Sequence, residues 1–345
     1  MKDLIKSILL EFGFDIVSFV SPFALEFNSS LKSRYNTWLG YSFHGSMDYL
    51  NNYMDKRFKP SAIDQNVKSI IMVGMSYFNS SIYELPSEEY GKVSMYAWGL
   101  DYHFVIKKFL NEVVERLKKE LGTNFSYRIF SDSAPIYEKG FAMEGSLGFQ
   151  GKNTCIINKK LGSFFFIGEI LTDLEIEADE KDKFRGCGNC INCVVKCPTG
   201  ALREYVLDSR KCISYLTIEY KGMIPENLAL KMGSWIFGCD VCQEVCPFNK
   251  YLYVKKMDTK IREFYCNLTP FLRLKDVMEI PSNNQFRKIF KGKSILRAGR
   301  RGLIRNAIIV AVNNSAKKLK DEIYKLSSDR DKIVSETAKW ALEVM

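Results

Sequence analysis

The chain has 345 residues, 46% hydrophobic and 26% charged, the balance of a soluble globular protein long enough for two or three domains. No apolar run reaches the roughly 18 residues that span a bilayer, and Met1–Lys6 opens an amphipathic helix instead of a secretory leader, so a cytoplasmic protein that avoids membranes is expected. The net charge of +10 is uneven: between Lys250 and Arg330 there are 20 Lys and Arg against 7 Asp and Glu, which leaves −3 for the rest. Such a segment is either the footprint of a polyanion, nucleic acid first among them, or a solvated lysine-rich surface.

Residues 1–175 alternate helix and strand patterns and predict an α/β domain. Leu4, Ile5, Ile8, Leu9 and Phe12 repeat at helical spacing before Gly13, and Phe14–Val20 reads as a strand. A helix around Ser30–Leu39 leads to Ser46, a candidate cap for the next helix. The basic loop 56–60 follows, and then Val67–Tyr77, an almost unbroken apolar run expected to be a central strand covered on both sides. After Trp98–His103, an amphipathic helix is predicted from about Phe104 to Leu121 and a strand over Ser126–Phe130. The turn at Ser131–Pro135 enters another helix, for which Asp132 or Ser133 could serve as a cap. Strands at Thr154–Asn158 and Ser163–Thr172 flank a short turn and predict a hairpin. No G-x-G-x-x-G opens any helix here, which argues against a dinucleotide site.

Residues 176–255 carry eight of the ten cysteines. Cys187, Cys190, Cys193 and Cys197-Pro198 have the spacing of bacterial ferredoxins, in which three thiolates hold one cluster and the fourth ligates its neighbour. Cys239, Cys242 and Cys246-Pro247 repeat the frame with the first position missing, at Ile236, and Cys212 is the one cysteine left in the stretch to fill it. The expected ligand sets are Cys187, Cys190, Cys193 and Cys246 for one 4Fe–4S cluster, and Cys197, Cys212, Cys239 and Cys242 for the other. Two four-cysteine zinc sites are the alternative; disulfides would need an oxidising compartment. Cys155 and Cys266 stand outside the frame as ordinary buried cysteines.

Residues 256–345 are basic, most densely over Ile289–Arg305, and end in three short amphipathic helices, Leu303–Val312, Ala316–Leu326 and Ile333–Val344. They suit a HEAT-like pair of helices or an ordinary helical cap.

Several motifs, spread over nearly the whole chain, together resemble one family. They are Trp98-Gly-x-Asp-Tyr-His103, Asp132-Ser-Ala-Pro135, Gly148-Phe-x-Gly-Lys152-Asn153, Gly162-Ser163 leading to Glu169-x-x-Thr172, Cys212-Ile-Ser-Tyr-Leu-Thr217 and Arg301-x-x-x-Arg305-Asn306-Ala307. The ordered set is similar to the epoxyqueuosine reductases, cobalamin-dependent iron–sulfur enzymes that complete queuosine at the wobble position of certain transfer RNAs. The resemblance implies an N-terminal cobalamin domain, a ferredoxin-like two-cluster insert and a helical C-terminus that grips a tRNA anticodon stem-loop with a GUN anticodon. Electrons from a donor that the sequence does not identify would pass through the clusters to the corrinoid, giving cob(I)alamin, which attacks the epoxide-bearing ring. The chain would act as a monomer.

The resemblance also distributes roles. Asp132 matches the family's proton donor, and to donate it would need a pKa raised by burial. Arg57, Asp132, Tyr137, Lys152, Asn153, Ile156, Ile167, Ile170 and Ser214 match positions around the cobalamin; the hairpin residues among them could equally be core. Ser94 stands where some members have a cysteine. Of the two histidines, His103, with Asp101 beside it, is expected to be structural or substrate-facing and not a cobalt ligand. Arg297, Arg300, Arg301 and Arg305 are the prospective tRNA contacts, because guanidinium forks bind phosphate bidentately. Lys288, Lys291 and Lys293 would supply a non-specific field. Competing readings are a corrinoid iron–sulfur reductase of another substrate, such as an organohalide, and a non-catalytic nucleic-acid-binding module stapled by its clusters.

Overall fold

The computed structural model describes residues 1–81, 84–182, 184, 186–259, 261 and 268–345; Cys266 lies outside them. The fold is mixed α/β. Its central sheet has the strand order Ile16–Val20, Ser69–Ser76, Phe165–Thr172, Tyr127–Phe130, and every neighbouring pair is antiparallel. Ser69–Ser76 is buried at all eight positions, as its unbroken apolar run predicts for a strand covered on both faces. One face packs on the helices Lys2–Glu11 and Tyr102–Leu121, through Ile5, Leu9, Val73, Ile106, Leu110 and Ile170. The other face packs against the helix Glu138–Glu144, through Met72, Phe141, Phe165 and Leu171.

The expected hairpin across residues 159–162 is not formed as predicted. Ile156–Ile157 pairs with Phe149–Gln150, and one bridge, Asn158 with Gly162, is what joins it to the chain beyond the turn. The Asn158 side chain accepts from the N–H groups of Lys160 and Leu161, and Gly162 takes φ +58, so the chain reverses tightly there. The strand Phe165–Thr172, buried at all but one position, enters the sheet centre instead. Ser46 is likewise no cap: its N–H and Oγ bond the Tyr215 hydroxyl at 2.8 and 2.7 Å, which ties the N-terminal half to the cysteine-rich stretch.

A second sheet draws together three distant parts of the chain. Tyr90–Val93 lies between Trp235–Phe237, to which it is parallel, and Phe271–Arg273, to which it is antiparallel. The cysteine-rich stretch uses short elements, including the helices Asn192–Lys196, Ile213–Ile218 and Val241–Glu244. At the C-terminus the helix Gly299–Asn313 is surrounded by Leu274–Met278, Lys332–Val344 and the strand Trp235–Phe237. Its residues 302–311 are all buried, the condition of a helix enclosed on every side. Lys320–Leu326 and Lys332–Val344 complete the three expected helices. Among the described residues no helix is long and apolar enough to cross a membrane.

Candidate active site and cluster cysteines

A cavity of about 1090 Å³ opens between the helix Ser29–Gly40, the segment from Phe43 to Arg57, the loop 132–139 and the hairpin of Leu202–Arg203 with Val206–Leu207. It exceeds the roughly 300–1,000 Å³ that drug-sized ligands occupy. Tyr35, Trp38, Tyr53, Tyr137 and Tyr205 give it flat aromatic walls, and Arg34, Arg57, Arg203 and Arg297 supply positive charge. Arg57 and Tyr137 stand side by side, since the Tyr137 N–H donates to the Arg57 carbonyl at 2.9 Å. The Arg57 guanidinium is buried; one Nη donates to the Tyr49 carbonyl, and Nε has no partner.

Asp132 follows the strand Tyr127–Phe130 and occupies the left-handed region, φ +49. It is not a cap, because the helix after Pro135 starts only at Glu138 and has no side-chain cap. Four residues from three elements converge on it instead. The Tyr102 hydroxyl donates to Oδ2 at 3.0 Å, and His103 Nε2 and Arg297 Nη1 each lie 3.8 Å from that oxygen. The Asp132 N–H donates to the Glu138 carboxyl. On its other side His103 Nδ1 is 2.6 Å from Asp101 Oδ1, and Asp101 caps the helix Tyr102–Leu121 through the His103 N–H. Tyr102 is clamped between His103 and Phe166, with ring centroids 4.0 and 4.3 Å apart.

These contacts reverse one expectation. Burial works to raise the Asp132 pKa, but the His103 hydrogen bond, the Arg297 charge and the Tyr102 hydroxyl outweigh it and hold the carboxyl below its ordinary value. The proton resides next door: burial opposes charge on His103, yet its bonds to Asp101 and Asp132 lift it to about 9. Asp132 is a carboxylate facing an imidazolium at neutral pH.

Cys187, Cys190, Cys193 and Cys246, the first expected ligand set, line one small cavity with Lys152, Asn153 and Phe248. Burial, then the neighbouring Cys187 and Cys246, push the Cys193 thiol up to about 11. Burial and nearby cysteine charge likewise raise Cys239 and Cys212, which feel Cys197. Cys242 is raised first by its bond to Cys155 and then by burial, with Cys212 and Cys239 adding to it. Thiols that resist ionising beside one another are a donor set suited to a soft cation, iron–sulfur or zinc. Cys155 is not an isolated core cysteine, because it meets Cys242 of the second set.

The remaining predicted residues divide. Lys152 and Asn153 belong to the cysteine cavity: the Lys152 N–H donates to Cys187 Sγ at 3.4 Å, its Nζ pairs with Glu204 at 3.0 Å, and Asn153 Nδ2 donates to the Cys242 carbonyl at 3.4 Å. Thr154, next in the chain, lines the large cavity, so the two cavities share a wall. Ile156 and Ile167 are in the apolar layer on the same sheet face as the helix Glu138–Glu144, whereas Ile170 faces the opposite side and is fully buried against the helix Tyr102–Leu121. Residues three apart on a strand point to opposite faces, and none of the three isoleucines is among the residues that line the large cavity. Ser214 is half-buried, outside the cavity lining, and its carbonyl accepts from Thr217 Oγ1. Ser94 is buried and donates to Asp240 Oδ1 at 2.6 Å, a structural tie to the cysteine stretch.

The four arginines also separate. Arg297 is on the cavity wall beside Asp132. Arg300 is fastened to Asp329 and to the Ile280 carbonyl. Arg301 is half-exposed and paired with Asp331. Arg305 is fully buried, its guanidinium donating to the carbonyls of Leu216, Tyr220 and Gly222 and to Asn306 Oδ1. The expected phosphate contact does not apply to Arg305, because no face of it is open. Sequence reasoning also missed Tyr102 and Glu138 as partners of Asp132; the adjacency of Tyr102 to His103 was the one local signal.

Residues 57–133 match the family model described as "Epoxyqueuosine reductase QueG, DUF1730", and residues 186–249 match the 4Fe–4S double cluster binding domain. The chain is 41% identical over 306 residues to the epoxyqueuosine reductase of Leadbetterella byssophila, covering 89% of this chain and 97% of that one. It is 36% identical over 317 residues to that of Escherichia coli, covering 90% and 80%. Among solved structures, epoxyqueuosine reductase from Streptococcus thermophilus superposes with TM-score 0.88 at 26% identity, covering 100% of this chain and 90% of that one. An epoxyqueuosine reductase with a tRNA-Tyr epoxyqueuosine-modified stem loop does so with TM-score 0.87 at 26% identity, covering 99% and 89%.

Proposed function

The chain belongs to the epoxyqueuosine reductase family, and from that premise we propose that it reduces epoxyqueuosine to queuosine at the wobble position of tRNA. The reaction requires two electrons and two protons: both C–O bonds of the epoxide break, an alkene forms and the oxygen leaves as water. The observation that carries the reading is the wall shared by the large cavity, where Asp132 stands, and the cysteine cavity, through Lys152, Asn153 and Thr154.

A corrinoid fits the large cavity by size, by its aromatic walls and by the arginines that line it, which suit the amide carbonyls of the macrocycle's periphery. Cobalamin, when bound and reduced, supplies the electrons and the nucleophile. The protein supplies position and protons. Asp132 relays a proton from His103, which Asp101 orients and keeps charged, to the departing oxygen. Arg297 and Tyr102 hold the Asp132 carboxylate toward the cavity.

In this reading residues 1–175 form the cobalamin-binding domain, 176–255 the ferredoxin-like insert with two 4Fe–4S clusters, and 256–345 the HEAT-like tRNA-binding part of a cytoplasmic monomer. The basic segment supports the substrate assignment by its contacts. Gly292 accepts from the Asp101 N–H at 2.8 Å and Arg297 faces Asp132, so a stem-loop on the exposed Lys288, Lys291 and Arg301 would lie beside the cavity mouth. Arg301→Ala should weaken tRNA binding across sequences and lower the slope of log affinity against log salt by about 1, measured by filter binding at several salt concentrations.

The decisive experiment is anaerobic reconstitution with iron, sulfide and cobalamin, followed by epoxyqueuosine-containing tRNA with a GUN anticodon and a chemical reductant. Nucleoside mass analysis should find queuosine. Bound clusters and cobalamin with no conversion would overturn the substrate, and failure to bind cobalamin would overturn the chemistry.

A further inference from the structure

Glu169 is an anomaly in the central sheet. Along Phe165–Thr172 it shares a face with Phe165, Ile167 and Leu171, and across the sheet it lies in register with Met72 and Phe130. It is a lone carboxyl in an apolar layer, with no exposed surface, and no N–H or O–H donor among the described residues reaches either of its oxygens. An ionised carboxylate cannot remain unpaired there, so it keeps a proton, and the proton needs an acceptor. The neighbouring carboxyl is that of Glu138, at the start of the helix packed on this face, and its Oε1 accepts the backbone N–H of Asp132. Glu169, Glu138 and the Asp132 amide therefore stand in one row. It ends on a residue in the left-handed region, which aspartate keeps only when its surroundings fix it.

We propose that Glu138 and Glu169 share a proton as a carboxyl pair, and that this pair fastens the Asp132 loop to the cavity wall. Both are positioning residues: Glu138 is half-buried at the cavity lining, and Glu169, fully buried behind it, acts through it. The charged groups that face the pair are Asp132 from the loop and His103 and Lys107 from the helix Tyr102–Leu121. Burial and the Asp132 charge hold Glu138 up to about 8, and burial and the Glu138 charge hold Glu169 well above its ordinary value. The pair is thus proton-loaded at neutral pH. The hold is present below these values and is lost as pH rises through them, when two like charges are confined together.

The test is hydrogen exchange at the Asp132 amide, followed by mass spectrometry of peptides spanning 128–137 and corrected for intrinsic rate. In the wild-type protein, protection of this amide should fall as pH rises past about 8, while amides of the strand Tyr127–Phe130 stay protected. Glu169→Leu should lower Asp132 protection on the order of tenfold at neutral pH. Glu169→Gln, whose amide donates without a titrating proton, should restore protection and remove its pH dependence. Turnover of epoxyqueuosine tRNA should fall in kcat and not in KM for the Leu variant and recover toward wild type for the Gln variant. Pair-independent protection, with Leu, Gln and wild type alike at every pH, would overturn the proposal, as would Gln behaving like Leu. Only the turnover arm rests on the proposed reaction, and the wild-type exchange profile needs no variant to fold.

Discussion

Asp132→Asn is expected to lower kcat by about 10²–10⁴-fold while leaving cluster content and cobalamin binding as in the wild type. Asparagine is nearly isosteric, and its side-chain oxygen can still accept from Tyr102 Oη, 3.0 Å away in the parent, so the loop has no steric reason to move. What is lost is the ability to take a proton from His103, 3.8 Å away, and hand it on. Single-turnover conversion with pre-reduced enzyme isolates this step, because electron supply is then complete before the tRNA is added. A kcat within a few-fold of wild type would remove Asp132 from the proton path. The same arrangement fixes the pH dependence. His103 has its pKa raised to about 9, so the proton it lends is present below that pH and is lost as pH rises through it. The wild-type rate should therefore decline on the alkaline side, and His103→Gln should abolish the decline by making the rate uniformly low.

Arg305→Met is expected to destabilise the fold by about 3–5 kcal/mol, the usual cost of breaking a buried charged network from one side. Burial lowers the Arg305 pKa to about 10, which leaves it charged at neutral pH, and carbonyl oxygens and Asn306 Oδ1 stabilise the charge where a carboxylate would be expected. Those carbonyls belong to Leu216, Tyr220 and Gly222, just after the Cys212 segment, so the loss should also loosen that part of the cysteine-rich stretch. Methionine fills the volume but donates nothing, and the three carbonyls and Asn306 Oδ1 lose their donor. Urea unfolding of the reconstituted protein measures the loss. The salt dependence of tRNA binding should be unchanged by this variant, in contrast to Arg301→Ala, since no face of Arg305 is open to a phosphate. A reduced salt slope with undiminished stability would return Arg305 to the surface role that its place in a basic run suggests.

The contrast between Arg301 and Arg305 marks where reading the chain succeeds and where it stops. They are one helical turn apart on Gly299–Asn313 and equally basic, but one is half-exposed and the other meets carbonyls some 85 residues earlier in sequence. The same holds for the isoleucines. That residues 167 and 170 lie three apart on a strand was enough to rule out a shared face, but only the fold shows that neither lines the cavity.

The sequence by itself determined what depends on short-range chemistry. Thiolate spacing specifies a two-cluster pattern because a cluster's reach is set by a few residues of chain, and the first set of four indeed lines one cavity. An unbroken apolar run specifies a central strand because neither face can be left to water. Only the tertiary structure decided the state of Asp132. Its ionisation is set by His103 and Tyr102 from one helix and Arg297 from the C-terminal segment, and its loop is held by Glu138 over Glu169. Electrostatic interactions at 3–4 Å depend on which side chains the fold brings face to face, and residues 29 to 165 positions apart carry no record in the sequence of having met.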